Sequence, residues 1–98
     1  MNGKIPTVRT EAEIRQWMID KLVTHLQIEP ASIHLDEPLI ALGIDSMQFV
    51  VIVGELEEWL GCRFVNNPLI DYPTINSLAR FLADRISNGK MVIDPSEP

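Results

Sequence analysis

Few side chains in this sequence are placed for chemistry, and Ser46 stands out among them. It lies in LIALGIDSMQFVVIVGELEEWLG, residues 39–61, where a loop gives way to an apolar run, and Asp45 precedes it. A serine becomes a nucleophile when a base takes its proton and a third group orients that base. No histidine is near Ser46 in sequence, since the two present are His25 and His34. The chain has neither a GxSxG elbow nor a glycine-rich phosphate loop. Glu57 and Glu58 are adjacent, so on a helix they point about 100° apart and make no catalytic pair. The two histidines lack metal-ligand spacing, and the single cysteine, Cys62, makes neither an intramolecular disulfide nor a zinc cluster. Cys62 follows Gly61 at an expected helix end and reads as a buried or indifferent thiol, not a nucleophile.

Two readings of Ser46 follow from its position. Serine is a common helix N-cap, and capping alone would account for it. A helix N-terminus also offers free amide hydrogens and a partial positive charge, a field in which a phosphate ester on Ser46 would be favoured. A hydroxyl reached from a loop is open to a second protein. Spacing by itself favours capping alone, since most serines at helix starts only cap; what the site would suit stands against it.

Charge narrows the class of partner. The formal net charge is −6, but its distribution says more. Between Leu22 and Cys62 there is no Lys or Arg, while Glu29, Asp36, Glu37, Asp45, Glu55, Glu57 and Glu58 all fall there. A nucleic-acid surface would be the reverse. The segment is either a solvated face or an electronegative docking surface for basic partners.

The elements that must hold these residues are readable from periodicity. With 98 residues, 46% of them hydrophobic and 22% charged, the chain suits one small domain with a modest core. No apolar run approaches the roughly 20 residues that span a bilayer, and MNGKIPTVRT has no signal-peptide core. A soluble, cytoplasmic protein is expected. Thr10 and Glu13 form a capping box that opens a helix over 11–26, with Ile14, Trp17, Met18, Leu22 and Leu26 inward. Residues 27–44 read as a long loop, pinned across the helices by Ile28, Ile33, Leu35, Leu39, Ile40 and Leu42, with a helical turn around PLIAL. The run FVVIV is β-branched enough for a strand. The longer stripe of Phe49, Ile52, Val53, Leu56, Trp59 and Leu60 instead sets a helix over 46–60, starting at Asp45 or Ser46 and closed by Gly61. A short helix is expected around PLID, and a last one over 75–87, capped by Thr74 and carrying Ile75, Leu78, Ala79, Phe81, Leu82 and Ile86. Residues 1–9 and 89–98 read as tails around a domain at 10–88, the latter ending in a frayed KMVIDPSEP. The fold class is all-α: a small bundle of three main helices plus one short helix.

The stretch Gly43-Ile44-Asp45-Ser46-Met47 resembles the Gly-Leu-Asp-Ser-Leu type motif of acyl carrier proteins. ASIHLDEPLIALGIDS resembles that family's loop into the serine. IDYPTINSLARFLAD, with Pro73 and Thr74, resembles the opening of its last helix. The resemblance covers about residues 10–87. It implies 4′-phosphopantetheine on Ser46, joined from coenzyme A by a phosphopantetheinyl transferase that brings its own magnesium and base. The arm's thiol would hold acyl groups as thioesters while partner enzymes with basic docking surfaces load, extend and unload them. The chain itself would be no enzyme, and a monomer, with no role for nucleic acid or membrane. Family members commonly dock through an acidic second helix. Carried over, Asp45 flanks the site, and Met47, Gln48, Val51, Glu55 and Glu58 would line the exposed side. Met47 replaces the more usual leucine, Val51 is apolar where a polar residue is more usual, and Gly54 weakens the helix by about 1 kcal/mol relative to alanine. An apolar patch would then supplement the charges. Gly43-Ile44-Asp45-Ser46 looks less like the Gly-Gly-His-Ser of peptidyl carriers, and YPT resembles polyketide carriers.

Two rivals remain from the residues alone. A helical adaptor that binds a basic partner without modification explains the acids and the bundle, but leaves the pentapeptide a coincidence. A hydrolase using Ser46 lacks a visible base.

Overall fold

Three local capping devices set the helix starts of this protein, whose computed structural model describes residues 9–96. Helix α1 runs Glu11–Leu26. The Glu13 amide donates to Thr10 Oγ1 at 3.1 Å, and the Thr10 amide donates to Glu13 Oε1 at 2.9 Å. Helix α2 spans Ser46–Leu60 and helix α4 spans Ile75–Ser87, each opened by its own capping box. Between them lies the short helix α3, Pro68–Asp71, with proline in its first turn where no intrahelical donor is needed. Helix α2 ends at Gly61, whose φ of 71° is the left-handed value that favours glycine. These bounds match the expected helices, and with so little strand the molecule is the expected small all-α bundle.

The core is one cluster. Ile14, Met18 and Leu22 of α1 meet Ile52 and Leu56 of α2 and Ile75, Leu78 and Leu82 of α4, all nearly solvent-free. Helices α1 and α4 pack most closely, while α2 stands further off and is joined to its neighbours by side chains. Trp17 and Trp59 stack with ring centroids 5.2 Å apart, tying α1 to the end of α2. Arg9 lies over Trp59 at 4.5 Å and Lys21 over Trp17 at 5.3 Å, geometry that suits cation–π attraction.

The long connection from α1 to α2 holds two single 3₁₀ turns, Pro30–Ser32 and Leu39–Leu42, the second at the expected PLIAL. It is stitched to the start of α4. The Leu39 amide donates to the Pro73 carbonyl at 2.9 Å, the Asn76 amide to the Leu35 carbonyl at 3.0 Å, and the Asn76 side chain to Asp36 Oδ1 at 2.8 Å. Leu39 and Ile44 are buried, and Ile33, Leu35 and Leu42 pack on the core. Ile40 corrects the expectation that every apolar residue here pins the loop: it is 71% exposed, because the 3₁₀ turn that buries Leu39 points its neighbour outward.

The C-terminal segment also differs from the frayed tail expected. Strand β1, Arg63–Phe64, pairs in parallel with strand β2, Val92–Ile93. The Arg63 amide donates to the Met91 carbonyl at 2.8 Å and the Val65 amide to the Ile93 carbonyl at 2.9 Å. Ile93 is 1% exposed and joins the core. Ile93 docked in the core, with Pro95 buried two residues on, supplies the driving force, which periodicity over so short a run does not reveal. The N-terminal tail, apart from Arg9, and the last two residues lie outside the described residues. No described helix is long and apolar enough to cross a membrane.

Candidate functional site

Asp45, not Ser46, caps α2. The Gln48 amide donates to Asp45 Oδ1 at 2.8 Å, and the Asp45 amide donates to Gln48 Oε1 at 3.0 Å. This reciprocal box fixes the first turn. Ser46 is therefore the first residue inside the helix, and the capping that would have explained it is done by its neighbour. Its hydroxyl is exposed and makes no side-chain hydrogen bond among the described residues. The amides of Ser46 and Met47 have no intrahelical acceptor by helix geometry, so the free hydroxyl stands beside two free donors at the positive end of a 15-residue helix.

The loop delivers this geometry. Gly43 turns the chain at φ 82°, and Ile44, 5% exposed, anchors it two residues before the serine. The site is thus a fixed helix mouth on an exposed corner. Neither His25 nor His34 reaches it: His25 Nε2 lies 3.1 Å from Glu55 Oε1, farther along α2, and His34 is on the α1–α2 connection. Among the described residues no group of His, Cys, Asp and Glu is arranged to hold a metal.

Helix α2 divides the expected docking residues. Met47 and Glu58 are exposed, and Val51 is half exposed. Gln48 is taken up by the capping box. Glu55 turns toward α1, where His25 Nε2 at 3.1 Å and Lys21 Nζ at 3.6 Å meet its carboxylate. The hydrogen bond from His25, with Lys21 nearby, holds Glu55 below the usual carboxylate range. The outward face is accordingly rotated from the one expected: Val50, 67% exposed, belongs to it, and Glu55, its side chain 37% exposed, lies at its edge beside α1. Helical spacing gives relative angles, but which face turns outward depends on where α1 packs. Cys62 is buried as expected, and burial, with Glu57 nearby, pushes its thiol up to about 11.

Comparison with known proteins agrees with this geometry. Residues 16–82 match the family described as "Phosphopantetheine attachment site", a span that includes Ser46. The chain is 40% identical over 77 residues to a phenolphthiocerol/phthiocerol polyketide synthase of Mycobacterium tuberculosis, covering 79% of this chain and 4% of that protein. It thus spans a small fraction of the length of that relative. It is 30% identical over 78 residues to acyl carrier protein TtuC of Teredinibacter turnerae, covering 80% of this chain and 88% of that one. Its fold is similar to the solution structure of acyl carrier protein LipD from Actinoplanes friuliensis, with a TM-score of 0.69 and 30% identity over 90% of this chain and 98% of that one. A bundle of this order, a helix mouth with its serine left free, and a match running from α1 into α4 converge on one conclusion: the chain belongs to the acyl carrier proteins of the phosphopantetheine attachment family.

Proposed function

We propose that Ser46 is the attachment point of 4′-phosphopantetheine and that the chain carries acyl intermediates between biosynthetic enzymes, in polyketide assembly ahead of housekeeping fatty acid synthesis. The observation that carries this is the division of labour at the mouth of α2. Asp45 does the capping, so the Ser46 hydroxyl has no structural task. The residues fit the group. A phosphodiester on Ser46 Oγ would sit beside the free amides of the first turn, in the field of the helix dipole, with no side chain to displace. When bound, the group supplies a flexible arm ending in a thiol. The chain's own part is to hold the hydroxyl outward, present it to a visiting transferase, and be recognised by the enzymes that follow.

In this reading the chain contributes no catalytic residue. Bond-making belongs to its partners, which meet it through basic surfaces complementary to Asp45 and Glu58 and through the apolar side chains Met47 and Val51. Glu55, already shared with Lys21 and His25, contributes less. The polyketide preference is supported by the polyketide synthase relatives, and it goes with a monomer working in the cytoplasm.

The test is intact mass after incubation with coenzyme A, magnesium and a broad-specificity phosphopantetheinyl transferase. Wild type is expected to gain one phosphopantetheine, and Ser46→Ala none, with an unchanged melting temperature. An unmodified wild type favours an unmodified adaptor. Modification that survives Ser46→Ala removes the serine from its role.

A further inference from the structure

The C-terminal strand leaves one edge of its small sheet open. In the parallel register Arg63↔Val92 and Phe64↔Ile93, the Arg63 amide donates to the Met91 carbonyl and the Val65 amide to the Ile93 carbonyl. Successive residues of a strand turn their backbone groups to opposite edges, so Phe64 and Val92 turn theirs away from this ladder. On the β1 side the outward edge is covered, because the Phe64 amide donates to Glu57 Oε2 at 2.8 Å. On the β2 side the amides of Val92 and Asp94 and the carbonyls of Lys90 and Val92 meet no such group among the described residues. The Lys90 amide is already given to the Arg85 carbonyl at 3.1 Å. Val92 is 64% exposed, and Val65, on the same face of the sheet, 56%.

The sequence along this edge is Lys90-Met91-Val92-Ile93-Asp94: a base, three apolar residues and an acid. Its centre is the residue whose amide and carbonyl both face out. Two such edges set antiparallel about Val92 place Val92 opposite Val92, in the arrangement where opposed residues exchange both hydrogen bonds. Lys90 of each copy then lies opposite Asp94 of the other. Both charges are available for this. Lys90 makes no ion pair among the described residues. Asp94 is held at the strand end by the Ser96 amide and hydroxyl, which donate to its Oδ1 at 3.0 and 2.7 Å. A parallel alignment would set like charges side by side and is disfavoured. Short length and a flanking lysine commonly protect an edge from other chains. Here the acid at the symmetric position makes the lysine select for this same edge.

We infer that the open edge of β2 pairs antiparallel with the same edge of a second copy of this chain, joining two two-stranded sheets into one of four strands about a twofold axis. The inference stands independently of the carrier reading. So short a seam buries far less than the roughly 800 Å² that each partner gives a standard interface. The association is therefore weak, and the dilute chain is a monomer. The seam lies beyond the C-terminal end of α2, about 20 Å along that helix from Ser46. The serine stays open in both copies, so pairing leaves arm transfer unaffected.

Sedimentation equilibrium up to about 1 mM, where association is worth only about 4 kcal/mol, is the test. It is run on wild type, Lys90→Asp, the double exchange Lys90→Asp with Asp94→Lys, and Val92→Pro, with melting temperature measured alongside. Wild type is expected to form dimers within that range. Lys90→Asp sets acid against acid at both symmetric positions and is expected to raise the dimer Kd at least tenfold. The double exchange restores opposite charges and is expected to return it to within threefold of wild type. Val92→Pro removes an amide that the β1–β2 ladder does not use, a place where an edge strand tolerates proline, and is expected to abolish pairing. The exchange series decides the matter even if Val92→Pro fails to fold. A wild type that stays monomeric at about 1 mM overturns the inference. So does pairing that Lys90→Asp leaves within threefold, or that the double exchange fails to restore.

Discussion

At Ser46 the decisive fact is a negative one about its neighbour: the cap is already supplied. Aspartate and serine cap helices about equally well, and replacing either by alanine typically costs about 0.5–2 kcal/mol. With Asp45 on the Gln48 amide, that stabilisation belongs to Asp45, and Ser46 is free to carry something. Cys62 shows the opposite extreme, a reactive residue type made inert by place. It is 4% exposed, and burial raises its thiol from 9.0 to about 11. The folded state therefore holds the thiol proton more tightly than the unfolded chain. Stability linked to this group is complete below pH 9.0 and is lost as pH rises through about 11. Urea midpoints of wild type and Cys62→Ala, measured from pH 7 to 11, are expected to keep a constant gap up to about pH 9 and to converge above it. A constant gap throughout would mean the thiol ionises as freely folded as unfolded.

Among the elements, α2 serves two masters. One face completes the core, and the other is offered to solvent with valines and a methionine on it. Glu55 sits at the boundary, where its carboxylate joins α2 to His25 and Lys21 of α1. Its carboxyl is held below the ordinary 4.5, first by the hydrogen bond from His25. The sign is that of a depressed acid: the stabilisation is present above 4.5 and disappears as pH falls through the lower folded value. Thermal melts of wild type and Glu55→Gln between pH 7 and pH 3 are expected to differ most near neutrality and to coincide at the acid end. A difference that grows toward pH 3 would contradict the pairing. The pair is partly exposed, so added salt is expected to shrink the effect.

Across the molecule, the C-terminal strand closes the bundle. Ile93 is the side chain that joins the hydrophobic core after α4, and it fastens the α2–α3 connection, which carries Phe64 and Val65, to the far end of the chain. Large-to-small changes at such sites cost about 2–5 kcal/mol. Ile93→Ala is expected to destabilise by that amount in urea titration and to speed amide exchange at Arg63 and Val65 beyond the rest of the molecule. A loss under about 1 kcal/mol, below that range, would return the segment to the status of a tail.

The helices, their caps and the serine were legible in the order of residues. Capping boxes and glycine stops act over three or four residues, so Thr10, Gly61 and Thr74 can be read without any knowledge of what packs where. The pentapeptide around Ser46 is local for the same reason. Three-dimensional packing was needed to choose between Asp45 and Ser46 as the cap, to set how α2 is turned, to aim Glu55 at α1 and Val50 outward, and to draw Ile93 into the core. The rotation of α2 and the burial of Ile93 depend on contacts between residues far apart in the chain. Periodicity fixes angles within a helix but not the helix's rotation against its neighbours, and a two-residue strand has no period to read.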